Sequence, residues 1–283
     1  MPPSKFVALQ LTVEATASAR AVYDWDLSRG VPDRLSDWLV EFLGNAVALS
    51  QLQRKPLSVR YQAQNIRFFL PYLEHSDPQV ADSAHAKLAG APYLVLQQLS
   101  DELDPDQLLK RIETQSSTNI KQVALSIMLL GICGGQREAK LVSDWIRQPS
   151  SGSNVAYLGS LLTAHIQLAG EQGVRFIESD YITNRDRKLG ELIAAVDALR
   201  THGQAAKTIS RPRIQATFHR LLNQRPALAE LVIEDLARWE DWSAATTLVE
   251  IYRSGLQPWN NAVILRYLKA CPLAEVRLEV DEL

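Results

Sequence analysis

The residues of this chain best suited to chemistry are five histidines, two cysteines and two acidic–aromatic pairs, Asp144–Trp145 and Asp180–Tyr181. Two carboxylates can divide general acid and base work when their surroundings push their pKa values apart. Asp144 and Asp180, however, stand in equivalent places of a repeat described below, and recurrence at a structural period predicts a cap or a hairpin contact instead. Cys133 precedes two glycines in "ICGG", an arrangement that can expose a nucleophile. The equivalent position in the next repeat is Ala169, which predicts packing. Cys133 and Cys271 both lie in apolar helical context, where a small buried thiol is the default, and their distance in the repeat order predicts that they are not bonded to each other. The histidines (His75, His85, His165, His202 and His219) are scattered one to a helix or helix end. No His-Glu-x-x-His, paired-cysteine spacing, Gly-x-Ser-x-Gly elbow or glycine-rich phosphate loop occurs. The expectation is therefore a chain with no catalytic residues, no cofactor and no metal.

Charge carries more information. The net charge is −2 over 283 residues, whereas a protein that wraps nucleic acid along its whole length is usually basic. The balance is uneven. Residues 185–225 hold nine basic side chains (Arg185, Arg187, Lys188, Arg200, Lys207, Arg211, Arg213, Arg220, Arg225) against three acidic ones, a local +6, while residues 226–283 carry −5. Such a block can steer an anionic partner, or be a solvated face and loop. In "SRPRIQATFHRLLNQR", Ile214, Phe218, Leu221 and Leu222 recur at helical spacing and predict a buried face. Arg213 and Arg220 lie two turns apart on one side, with Arg211 and Lys207 close by. Guanidinium forks suit carboxylate or phosphate in two places at once. These four, Lys207, Arg211, Arg213 and Arg220, are the expected partner-binding residues, with Arg213 and Arg220 outside the core.

The elements that must position them are helical. "LEHSDPQVADSAHAKLAG" opens a helix at Pro78 with Asp77 as cap and ends it at Gly90. Beyond residue 58 the pattern predicts helix pairs: 59–75 with 78–89, 92–102 with 104–114, 119–133 with 136–148, 153–169 with 171–182, 186–202 with 210–224, 226–239 with 241–254, then 258–270. First helices recur about every 33 residues, the period of stacked hairpins. "GGQREAKLVSDWI" (134–146) and "GEQGVRFIESDYI" (170–182) align without a gap at an offset of 36. In "RWEDW" (238–242), Asp241 is expected to cap a helix while Trp239 and Trp242 close a hairpin. At the N-terminus, "KFVALQLTVEATASA" has the outline of a leader peptide. Gln10 and Thr12 interrupt its apolar part, and Val7, Leu9, Leu11 and Val13 alternate as in a strand. The expectation is a short strand at 6–14, pairing with "EVRLEV" at 275–280, and a cytoplasmic chain. "VDEL" has Val280 where a retention signal needs Lys or His, and no apolar run reaches the roughly 20 residues of a membrane span.

"DPQVADSAHAKLAG" resembles the second helix of a HEAT repeat. "NIRFFLPYLEHSDPQVADSAHAKLAGAPY", "VALSIMLLGICGG" and "RPALAELVIEDLARWEDWS" are similar to stretches of HEAT-containing proteins of planctomycete bacteria. The resemblance covers residues 60 to 273 and implies an all-α fold: a right-handed α-α superhelix of about six to seven stacked hairpins. The domains are then a capping segment at 1–58, the repeat domain at 59–273 and a tail at 274–283. It carries no activity that could be transferred. What it implies is a non-catalytic scaffold for a protein or peptide partner, with residues 185–225 facing an anionic one. The alternative is nucleic-acid binding in the manner of alkylpurine DNA glycosylases, which are built on HEAT-like repeats, with Trp145 or Tyr181 exposed beside the basic block. HEAT-type lyases that handle bilin chromophores are a third class, which no residue here selects.

Overall fold

A computed structural model describes residues 6–16, 19–31, 58–115, 119–148 and 156–281. The chain divides into two compact units, Met1–Ala84 and His85–Leu283. The expected cap falls largely on residues 32–57, outside the described residues, as do positions 153–155 of the expected fourth pair.

The first unit opens with a strand pair, β1 (Phe6–Thr16) and β2 (Ala19–Val31). They are antiparallel, with Phe6 opposite Val31, Leu11 opposite Trp25 and Thr16 opposite Ala19. The strand expected at 6–14 is therefore present, but its partner is the next segment of chain and not residues 275–280. Joining sequence neighbours closes a short loop, which costs less entropy than a loop spanning the whole chain. Residues 274–281 have another use, given below. Helix α1 (Val59–Arg67) starts where the Ser58 side chain accepts from the Tyr61 amide at 3.3 Å. The expected helix 59–75 is broken: Leu70–Glu74 is a separate 3-10 turn with Pro71 in its first positions. Helix α2 runs Pro78–Ala89 as expected, and Asp77 Oδ1 accepts from the Gln79 amide at 2.9 Å.

From residue 58 onward every regular element among the described residues is helical. After α3 (Tyr93–Leu96) and a 3-10 turn at Gln97–Glu102 come α4 (Pro105–Gln115), α5 (Ile120–Cys133) and α6 (Gln136–Arg147). Then follow α7 (Leu158–Ala169) and α8 (Glu171–Ile177), the latter continued by a π turn at Glu178–Ile182. The remaining helices are α9 (Leu189–Ala205), α10 (Arg211–Gln224), α11 (Glu230–Arg238), α12 (Ala245–Ser254), α13 (Asn261–Ala270) and α14 (Ala274–Asp281). Helix α14 buries Val276 and packs on α13, so the alternation in "EVRLEV" belongs to a helix.

Within the second unit α5 packs on α7, α7 on α9, α9 on α11 and α11 on α13. Helices α6 and α8 both lean on α7, α10 leans on α9, and α12 on α13. Gly131 sets the first of these spacings. A Cβ there would lie 2.6 Å from the Ala164 Cα, so only hydrogen lets α5 and α7 come this close. One continuous apolar core runs from Leu158 to Val276. Each fully buried Leu, Ile or Phe in it contributes about 1.5–3 kcal/mol over its exposed state. None of the described helices is long and apolar enough to cross a membrane.

Candidate functional site

Helix α10 begins after Ser210 with Pro212 in its first turn. It buries Ile214, Phe218, Leu221 and Leu222, the face its spacing predicts. Its arginines are not free. Arg213 Nη1 and Nη2 donate to the two oxygens of Glu178 at 2.9 and 3.0 Å, and its Nε donates to Glu171 Oε1 at 2.8 Å. Thr217 Oγ1 donates to Glu178 at 2.8 Å, and Arg220 approaches the same carboxylate at 3.5 Å. Glu178 is only 6% exposed. Burial alone would push its carboxyl up, but hydrogen bonds from Arg213 and Thr217 and the charges of Arg213 and Arg220 hold it below the usual range. The Glu178 hydrogen bonds in turn raise the Arg213 guanidinium above its ordinary value. Arg213, expected at a partner's disposal outside the core, instead neutralises a buried carboxylate of α8's π turn. Val142, fully buried, is the equivalent residue one repeat earlier, so the same place takes a valine in α6 and a glutamate after α8.

Arg211 is also engaged. Its Nε donates to the Gly203 carbonyl at 3.0 Å, and its guanidinium lies 5.7 Å from the centre of the Trp239 ring. That ring stacks on Phe218 with centroids 5.5 Å apart. A Cβ at Gly203 would meet it at 2.4 Å, which is why glycine sits there. Lys207 stands exposed in the link between α9 and α10. Of the four expected partner-binding residues, Arg213 and Arg220 thus face one carboxylate, while Arg211 is held at Gly203 and Trp239.

Other members of the basic block are spent similarly. Arg187 donates to Glu191 at 2.9 Å and to the Asp180 carbonyl at 3.0 Å, with its guanidinium over the Tyr181 ring. Arg200 bridges Asp197, the buried Asp235 and the Leu231 carbonyl. Glu171, Glu178 and Asp235 all lie outside residues 185–225, so the local +6 overstates the free charge. Among the described residues Arg185, Lys188, Lys207 and Arg225 make no ion pair.

Two of these four line one cleft. Arg185 and Arg225 line a cleft of about 510 Å³ between the start of α9 and the link from α10 to α11. Its floor is Leu189, Leu192, Pro226, Ala227 and Leu228, with Arg187 and Gln224 completing the wall and no carboxylate in the lining. Leu189 is 54% exposed, and Ile193, one turn on, is exposed as well. Arg225 closes α10 by donating its amide to the Leu221 carbonyl, which fixes its place at the rim. Sequence reasoning counted Arg185 and Arg225 in the block but did not choose them. An exposed Leu189 flanked by cations was the available signal.

The other chemical candidates take structural places. Asp144 is exposed in a second cleft, of about 660 Å³, between α4 and α6, beside Lys110, Lys140 and Trp145. Asp180 accepts from Ser179 instead. Tyr181 is 1% exposed and Trp145 half-buried. Tyr181, expected beside an exposed basic face in the nucleic-acid alternative, is thus a core residue. Cys133 and Cys271 are both free, as expected, and burial pushes the Cys133 thiol up to about 11. His202 is fully buried, its Nε2 facing the Thr163 carbonyl at 3.0 Å, and burial lowers it to about 4. Asp241 caps the turn before α12 by accepting from the Ser243 amide at 3.3 Å, and Trp242 packs on Tyr267.

One constellation escaped sequence reasoning. His219 Nε2 faces Asp241 Oδ2 at 2.9 Å and Ser243 Oγ at 3.2 Å, and Ser243 Oγ donates to Asp241 Oδ1 at 2.6 Å. A Ser-His-Asp relay places serine on one ring nitrogen and aspartate on the other. Here both share one nitrogen and the serine proton goes to the aspartate, the geometry of a turn clasp. No group of three or more His, Cys, Asp or Glu side chains suited to a metal occurs among the described residues. In comparisons with known proteins no family model, no curated protein and no solved structure matches the chain.

Proposed function

We propose that this protein is a non-catalytic interaction scaffold: a right-handed stack of HEAT-like hairpins that offers a surface to another protein. The observation that carries the reading is the cleft at the start of α9, where Arg185 and Arg225 have no counter-ion among the described residues and stand beside an exposed leucine. The buried carboxylates Glu178 and Asp235 are matched by arginines of this chain, so unmatched cations around apolar surface mark a place where a partner supplies the complement. The row from α5 through α13, each helix resting on the next, supports the stack. Nucleic-acid binding draws less support, since Arg213 and Arg220 face Glu178 and Tyr181 is buried.

The test is a photo-reactive side chain at Leu189, with a control at Leu256, crosslinked in the native host. The scaffold reading expects a discrete protein adduct from Leu189 that the control lacks. No discrete protein adduct from Leu189 or from any other exposed position tried would end it.

A further inference from the structure

The lining of the α9 cleft specifies more than a partner in general. Its accessible apolar surface is aliphatic, formed by Leu189 of α9 and Leu228 after α10, with Leu192 buried beneath. At 510 Å³ it has room for a few side chains of an incoming segment, within the range of ~300–1,000 Å³ typical of ligand clefts. Its charges are all of one sign. Arg187 is already held by Glu191 and by the Asp180 carbonyl, which leaves Arg185 and Arg225 as the forks with capacity. Trp259 adjoins the cleft: it is 57% exposed, and its indole N–H donates to the carbonyl of Ala227, a lining residue, at 3.0 Å.

We propose that the cleft docks an acidic–apolar peptide segment of a partner protein, with a leucine-class side chain against Leu189 and Leu228 and carboxylates on Arg185 and Arg225. This rests on the scaffold reading and names the chemistry of its partner. Carboxylate and guanidinium pair in two places at once, which sets orientation as well as attraction. The apolar floor supplies the burial that a rim ion pair alone does not. A purely acidic segment would leave the leucines wet, and a purely apolar one would bury two uncompensated arginines. The occupant must carry both.

The experiment selects random twelve-residue peptides displayed on phage against the full-length protein. Individual winners are then measured against wild type, an R185E/R225E variant and Leu189→Ser. All three positions are at least partly exposed and neither arginine side chain makes an ion pair among the described residues, so these variants should keep the wild-type circular dichroism spectrum and melting temperature. The expected winners combine Asp or Glu with Leu, Ile or Phe, and weaken as salt rises. They lose at least tenfold in affinity on R185E/R225E and severalfold on Leu189→Ser. Winners without an acidic bias, or bound equally by the arginine variant, would overturn the docking proposal while leaving the scaffold reading in place. No enrichment at all, with a fluorescent long-chain fatty acid bound in an Arg185- and Arg225-dependent way, would overturn both.

Discussion

Glu178 and Arg213 show what a single residue's type conceals. That Arg213 is cationic and lies beside a buried helical face was legible in the sequence; that it would be consumed by a carboxylate 35 residues back was not. Local spacing reports the face a side chain leaves from, and says nothing of which neighbouring helix supplies its counter-ion. Breaking such a pair leaves an uncompensated charge in a dry place. Arg213→Ala should therefore destabilise the fold by about 3 kcal/mol, and Arg213→Glu by more, measured by urea unfolding. Arg185→Ala, removing a cation with no partner, should change stability by less than about 0.5 kcal/mol. His202 gives a pH signature. Its folded pKa of about 4 lies below the unfolded value of roughly 6.5. The unfolded chain thus binds a proton first as pH falls. Its contribution is complete above pH 6.5 and lost on descending to 4, a loss of about 3 kcal/mol. His165, also lowered by burial and by Arg147, acts in the same direction. Unfolding free energies between pH 7 and 4 should follow this slope, and His202→Gln should flatten it.

Helices were the more legible level. The helical pattern placed α2 at Pro78–Ala89, α5 within a residue and α10 within a residue, and Asp77 and Asn119 accept from first-turn amides of α2 and α5. Departures have local causes too. Pro71, Pro226 and Pro258 sit in the first positions of short 3-10 turns, at or inside helices the periodicity had run together. The strand partner of residues 6–14 was misjudged because alternation in "EVRLEV" is compatible with either a strand or a short helix, and tertiary contact with α13 decides it. Gly131 tests how elements are spaced. Gly131→Ala adds one methyl where the nearest atom is backbone, which cannot swing aside. It should cost about 2–3 kcal/mol, although alanine is the better helix former by ~1 kcal/mol. A rise in melting temperature would mean that α5 and α7 are not held at this distance.

Within the second unit α5 contacts α7, α7 contacts α9, α9 contacts α11 and α11 contacts α13, so perturbations should decay along this order of contacts. Hydrogen exchange on the Gly131→Ala protein should show faster exchange in α5 and α7 and unchanged protection in α12 and α13. Uniform loss would mean one indivisible core. The buried Cys271 and the high-pKa Cys133 should both resist a thiol reagent at pH 8 and both react after unfolding. The Glu178 site bears on something larger, the interchangeability of the repeats. Aliphatic surfaces tolerate many partners. A repeat that carries Val142 in its core is portable in that sense. The one carrying Glu178 is not, because only a neighbour bringing Arg213 and Thr217 can accept it. The 36-residue unit therefore has an address. Duplicated next to itself it would strand a naked carboxylate, and deleted it would orphan a guanidinium.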